Sequence, residues 1–253
     1  MMRSCFGQLL CFFCLTIIWS SCSRSNSERA AQFQKKGYND YLSGDYLGAI
    51  DCFNKVLKLD SNDASAYNGR AVVEGAIKNY SLEIDDCNQA IQLSPSYAAP
   101  YNNLAVASER LGNSRKSLTN FNKAIELDPK NANYYDNRGV LKGVLLKDYS
   151  AAIIDFSKAI ELNPYSAVSY KDRGFAKCDA GDNTGAVTDL TAAIEWNPLD
   201  FSIFDKRGLV KCKLGDYDGA ISDFRKAVDL NPQFTEAYTN LSFAKAMKAS
   251  KQK

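Results

Sequence analysis

The chain has 253 residues, 45% of them hydrophobic and 24% charged, which is the composition of an ordinary packed fold. Its formal net charge is +2, from 31 Lys and Arg against 29 Asp and Glu, so nothing points to nucleic acid or a strongly acidic partner. There is no histidine, which excludes His-based acid–base pairs, Ser–His and Cys–His nucleophiles and imidazole metal sites.

In chain order, Arg3 precedes an uncharged stretch from Ser4 to Ser23, and small residues follow its apolar core. A short basic start, an apolar centre and a small-residue end make a secretory signal. The ending Ser20-Ser21-Cys22 resembles a bacterial lipoprotein signal, with Trp19 where an aliphatic residue is usual. That resemblance implies cleavage after residue 21 and diacylation of Cys22. An uncleaved anchor and plain secretion are the alternatives, since the uncharged run is long enough to span a bilayer. All three place the rest of the chain outside the cytoplasm. Of the eight cysteines, Cys5, Cys11, Cys14 and Cys22 belong to this segment. Cys52, Cys87, Cys178 and Cys212 form no C-x-x-C pair and read as small apolar fillers; no metal site is expected.

A short polar linker, residues 22–29 with the lipidated cysteine, leads into a repeat. Pro95, Pro129, Pro164, Pro198 and Pro232 stand at spacings of 34, 35, 34 and 34, and Ser61 occupies the place one period earlier. Numbering each unit so that this residue is position 32 gives six units: 30–63, 64–97, 98–131, 132–166, 167–200 and 201–233. Position 4 is aromatic throughout (Phe33, Tyr67, Tyr101, Tyr135, Tyr170, Phe204). Position 8 is small (Gly37, Ala71, Ala105, Gly139, Gly174, Gly208). Large and small residues four apart share one helix face, and the small one lets a second helix approach. That second helix presents position 20 (Ala49, Ala152, Ala186, Ala220), then positions 24 and 27. Turns such as Ser43-Gly44-Asp45 separate the two helices, and proline ends the second. The extra residue of the fourth unit is expected in its turn, around Leu145 to Lys147. Residues 234–253 read as a capping helix with a basic tail. Tyr238, Leu241 and Met247 are expected to cover the last repeat, with Lys245, Lys248, Lys251 and Lys253 in water.

A period of about 34 residues with this small/large code resembles the tetratricopeptide repeat family. The resemblance implies an all-α fold, a right-handed α-solenoid of six helix-turn-helix repeats plus a C-terminal capping helix, with a concave groove. It also implies binding rather than catalysis, and no cofactor.

Position 7, usually apolar in that family, is Arg70, Arg138, Arg173 and Arg207 in repeats two, four, five and six. Position 23 is Asp86, Asp155, Asp189 and Asp223 in the same four. Repeats one and three have neither residue type at these places. The joint occurrence reads as a partly buried structural ion pair within each repeat.

The family's groove wall implies contacts from positions 5 and 9, among others. Position 5 is polar (Gln34, Asn68, Asn102, Asp136, Lys171, Asp205) and position 9 apolar (Tyr38, Val72, Val106, Val140, Phe175, Leu209). An apolar stripe beside a polar ladder suits an extended or helical peptide. Repeat proteins that clamp chaperone C-termini use Lys and Asn at these two places of an early repeat. Gln34 and Tyr38 stand there instead. The expectation is a lipid-anchored protein-binding scaffold of the cell envelope, facing the periplasm or exterior. A non-catalytic subunit of an envelope enzyme complex and a self-associating array are the alternatives.

Overall fold

The computed structural model describes residues 26–251, so the signal segment, Cys22 and the end of the tail lie outside the described residues. Among the described residues all regular structure is helical. Helix α1 (26–42) is followed by α2 (Tyr46–Leu59), α3 (Ala64–Ala76), α4 (Tyr80–Leu93), α5 (Ala98–Arg110) and α6 (Ser114–Leu127). Then come α7 (Ala132–Val140), α8 (Tyr149–Leu162), α9 (Ala167–Asp179), α10 (Asn183–Trp196), α11 (Phe201–Lys213), α12 (Tyr217–Leu230) and α13 (Thr235–Lys251). They form two compact bodies, one reaching Leu127 and the other starting at Asp128. Within each, consecutive helices pack as hairpins, and first helices of neighbouring repeats also touch (α3 with α5, α9 with α11). Residues 26–29, assigned above to a linker, are already helical. Their helix is held by Ala30, which is buried against Ala49, Phe53 and Ala66.

The repeat sequence builds each hairpin turn in the same way. Gly44, Gly112, Gly181 and Gly215 take positive φ at position 15, and Lys78 and Lys147 are forced into it at 64° and 57°. The next residue's N–H reaches back to close the helix end, as in Asp45 to Asp40 O and Asp216 to Lys211 O. The same aspartates then cap the second helix: Asp45, Asp148, Asp182 and Asp216 accept the N–H three residues on. The extra residue of repeat four lies earlier than expected. It is absorbed as a π-turn over Leu141–Leu145, with Leu146 N–H on Leu141 O and Asp148 N–H on Lys142 O. One wide turn inside the helix takes up the residue while Lys147 and Asp148 keep their places at the turn.

Close helix approach is visible at position 8. A Cβ added to Gly139 would lie 2.8 Å from the Phe156 ring, and one on Gly208 would lie 2.7 Å from Phe224. Both rings are buried. Repeat three carries Ala105 and Phe121 at these two positions, both fully buried, so alanine is the largest residue the chain uses here with phenylalanine at position 24. At an exposed helix site Gly→Ala stabilises by about 1 kcal/mol. Here the sign should invert: Gly208→Ala is expected to lose about 1 kcal/mol, because the ring must shift inside a packed core. A denaturant melt at or above the wild-type midpoint would refute this.

The four Arg–Asp pairs are bidentate. Nε and Nη2 of Arg173 donate to the two carboxylate oxygens of Asp189 at 2.8 and 2.7 Å, and Arg70–Asp86, Arg138–Asp155 and Arg207–Asp223 repeat this within 2.6–2.9 Å. Two further features enlarge the expected pair. The Nη1 of Arg70, Arg173 and Arg207 reaches the second helix of the preceding repeat, at Asn54, Ser157 and Thr191. In repeats four to six a lysine four residues after the arginine adds a second cation: Lys142 on Asp155, Lys177 on Asp189 and Lys211 on Asp223, at 2.7–2.8 Å. Repeat one keeps a charge pair within one helix, Lys36–Asp40. Repeat three has Leu104, Ser108 and Asn120 at the three places.

The last helix packs differently from the sequence expectation. Ala237 and Ala244 are fully buried, with Leu241 beside Ala244, while Tyr238 is 45% exposed. Tyr238 holds the place of the position-4 aromatic, and its hydroxyl donates to Pro232 O as Tyr101 and Tyr135 do to Pro95 and Pro129. Two tail lysines are engaged rather than free in water. Lys248 pairs with Asp218, and Lys251 lies 5.6 Å over the Tyr217 ring.

Candidate interaction groove

The position-5 ladder is spent inside the protein, tying each first helix to the residues that follow. Gln34 donates to Ser65 Oγ at 2.6 Å. Asn68 is 6% exposed; its oxygen accepts from Asn103 at 2.9 Å and its Nδ2 donates to Tyr97 OH. Asn102 donates to Asn103 Oδ1. Asp136 accepts from Ser169 Oγ at 2.7 Å, Lys171 pairs with Asp200 at 3.3 Å, and Asp205 accepts from Asn240 at 2.9 Å. Burial raises the carboxyls of Asp136 and Asp205, that of Asp136 to about 6, with the Ser169 hydrogen bond opposing. Polar groups engaged by the fold have less to offer a peptide backbone, although Asp136 Oδ1 is buried without a partner.

The apolar position 9 is open in part. Tyr38 and Leu209 are 38% and 36% exposed, while Val72, Val106, Val140 and Phe175 are half-buried. Tyr38 also packs edge-on against Phe53, with ring centroids 5.3 Å apart. The other five line cavities on the face made by the first helices. In the first body, Val72 and Val106 border a cavity of about 220 Å³ with Tyr41, Gly75, Tyr80 and Glu83. In the second, Val140, Val144 and Phe175 border one of about 350 Å³, and Leu209, Phe243 and Met247 another of about 340 Å³.

From the first helices, position 6 rather than position 5 reaches these cavities, with Asn103, Asp172 and Lys206; the turn and second helix add Lys147 and Glu83. Position 13 adds Arg110, Asp179 and Lys213. One residue along a helix rotates the side chain by about 100°, so the two registers face different neighbours. Burial raises Asp172, with Lys171 opposing. Lys206 pairs with Asp179 at 3.2 Å and lies 5.2 Å over the Phe175 ring, fixing two walls of the groove to each other.

Cys52, Cys87, Cys178 and Cys212 are all free thiols. Burial pushes Cys52, Cys87 and Cys212 up, which keeps them protonated and unreactive. Among the described residues no cluster of Cys, Asp and Glu is arranged to hold a metal ion. Among them, too, no helix is long and apolar enough to cross a membrane.

Tetratricopeptide repeat models match residues 35–98, 98–131 and 132–166, and a TPR repeat model matches 208–248, together more than half of the chain. The Tetratricopeptide repeat protein 36 homolog of Nematostella vectensis is 41% identical over 44 residues, a match that spans 17% of this chain and 24% of that relative. Among solved structures, YrrB, described as a TPR protein with an unusual peptide-binding site, matches at TM-score 0.62 and 20% identity over 76% of this chain and 98% of its own. PilF of Pseudomonas aeruginosa matches at TM-score 0.75 and 16% identity over 85% and 97%. At these identities the solved structures speak for the fold alone. With the repeat code, the hairpin geometry and the matched segments in agreement, the chain belongs to the tetratricopeptide repeat family.

Proposed function

We propose that this chain is a membrane-tethered, extracytoplasmic scaffold that holds a peptide segment of a partner protein against the face of its first helices. The observation that carries the reading is the set of apolar side chains that line first-helix cavities in each body, Val72 and Val106 in one and Val140, Val144, Phe175 and Leu209 in the other, in cavities of about 220 to 350 Å³ with charged residues on their walls. Such a surface gives a bound segment apolar anchor points and charge selectivity without further chemistry. The peptide-binding site described for YrrB is a parallel use of a similar fold. The proposed tether is a lipid on Cys22, in the cell envelope. Cys22 lies four residues before residue 26, where α1 is helical. That stretch spans at most about 15 Å, which would hold the first repeat beside the lipid.

Two measurements test the two halves of the proposal. A fatty-acid analogue fed to the producing cells should label the wild type and not Cys22→Ser. Equal labelling, or a mature N-terminus elsewhere, would remove the lipid tether. For the groove, Val144 and Leu209 are 57% and 36% exposed, so Val144→Ser with Leu209→Ser leaves the core intact. Peptides selected on the wild type for binding should lose most of their affinity for this variant. Undiminished binding would place the binding surface elsewhere.

A further inference from the structure

Position 20, on the second helix of each repeat, is a fully buried alanine in repeats one, four, five and six: Ala49, Ala152, Ala186 and Ala220. Repeat two carries Glu83 there and repeat three Ser117. Glu83 is 5% exposed, and among the described residues no side-chain hydrogen bond or salt bridge meets its carboxyl group, on which only the charge of Arg110 acts. Ser117 Oγ is likewise buried without a partner. Room for the carboxyl group comes from Gly75: a Cβ there would stand 2.8 Å from it. So repeat two replaces a core methyl by an acid, and the glycine at position 12, which repeat four also carries as Gly143 opposite Ala152, leaves it a slot. Packing alone does not call for this, since alanine serves in four repeats. A local rule broken without compensation points to function.

The slot opens into the first body's cavity of about 220 Å³, lined also by Tyr41, Tyr80, Val72, Val106 and Arg110. Arg110 is the one charge that acts on Glu83, from within the same cavity lining and without a salt bridge between them. We infer that this cavity is a subsite for a basic side chain, arginine or lysine, of the segment held in the groove, with its cation on the Glu83 carboxylate. The inference rests on the peptide-binding reading and adds the chemistry of one pocket. A buried carboxylate is costly alone and strongly held once a cation meets it. A guanidinium also stacks on aromatic rings such as those of Tyr41 and Tyr80. The same chain shows the arrangement filled from within: Asp189 accepts both Arg173 and Lys177.

The titratable groups facing Glu83 are Arg110 of α5, Tyr41 of α1, and Tyr80 and Cys87 of α4. Burial pushes the Glu83 carboxyl up to about 7, with Arg110 opposing. A guest cation therefore displaces a proton below that pH, and affinity should climb as pH rises through it.

The test is a random phage-displayed dodecapeptide library selected on the full chain. The expected binders share an arginine or lysine at one place. Replacing it by citrulline or norleucine should weaken binding to the wild type by about tenfold or more, the range of a charge-assisted hydrogen bond. The same replacement should matter less than about twofold on a folded Glu83→Gln variant. Binders without a basic preference, or equal weakening on both proteins, would overturn the subsite and leave the groove reading standing. No binders at all would overturn the groove reading, and this inference with it. If Arg110→Gln destabilises the fold and no basic preference appears, Arg110 is the internal partner of Glu83 and the proposal fails.

Discussion

Asp189→Ala should cost the second body about 3–5 kcal/mol, the usual penalty for orphaning a buried charge. The Asp189 side chain is 4% exposed and holds two cations, Arg173 at 17% and Lys177 at 20% exposure. Removing it strands both, and Arg173 also loses the anchor that aims its Nη1 at Ser157 in the preceding repeat. The loss should therefore exceed that from Arg173→Leu with Asp189→Leu. That double variant still leaves Lys177 without a carboxylate, so its recovery should be partial. Fuller recovery should come from the set repeat three already uses, Leu104, Ser108 and Asn120. Transplanted, this is Arg173→Leu, Lys177→Ser and Asp189→Asn. Because repeats couple mainly to neighbours, hydrogen exchange should quicken in α7 to α12 and stay near native in α1 to α3. Wild-type melting of Asp189→Ala, or single changes that simply add to the triple, would defeat the network account.

Arginine at position 7 and aspartate at position 23 occur together because one chain offers six copies of the same environment. The same comparison at position 11 finds Lys142, Lys177 and Lys211 in three of the four repeats, with Glu74 in the other. That signal was in the sequence and needed only a third column. Helix starts at Ala64, Ala98, Ala132, Ala167 and Phe201 coincide with the unit starts because caps and prolines act locally. The π-turn of repeat four was not legible, since a period tells that a residue is added but not which hydrogen bonds absorb it. The polar residues lining the first-helix cavities include those of position 6 rather than 5, because a rotation of about 100° separates a residue bonded to the next helix from one facing a cavity. Tyr238 was misjudged for a related reason. It holds the position-4 place, where its hydroxyl is bound to Pro232 O while the ring stays 45% exposed. Glu83 is invisible to a periodic pattern, which holds what the repeats share, because it is what one repeat does differently.

Glu83→Ala should raise the melting temperature at about pH 8 by on the order of 5 °C, and far less near pH 4.5. Burial holds the proton on this carboxyl to about pH 7 in the folded state, above the ordinary 4.5. Between those values the folded chain binds more protons than the unfolded one. Stability therefore falls as pH rises through that window and levels off above it. Alanine removes the ionising group and with it this slope. It also restores a packing the chain already uses, since repeat four sets Gly143 against Ala152 with a hypothetical Cβ contact of 3.2 Å. The buried carboxyl of Asp136 titrates in the same range but is present in both proteins, so it cancels in the difference. Melts of wild type and variant across that range decide the matter. An equal gain at both ends would assign the effect to packing rather than charge, and a loss at high pH would mean that the carboxylate is already paired. If a basic side chain is its guest, binding above pH 7 should return to the wild type the stability that its unpaired carboxylate forfeits, and should return nothing to Glu83→Ala.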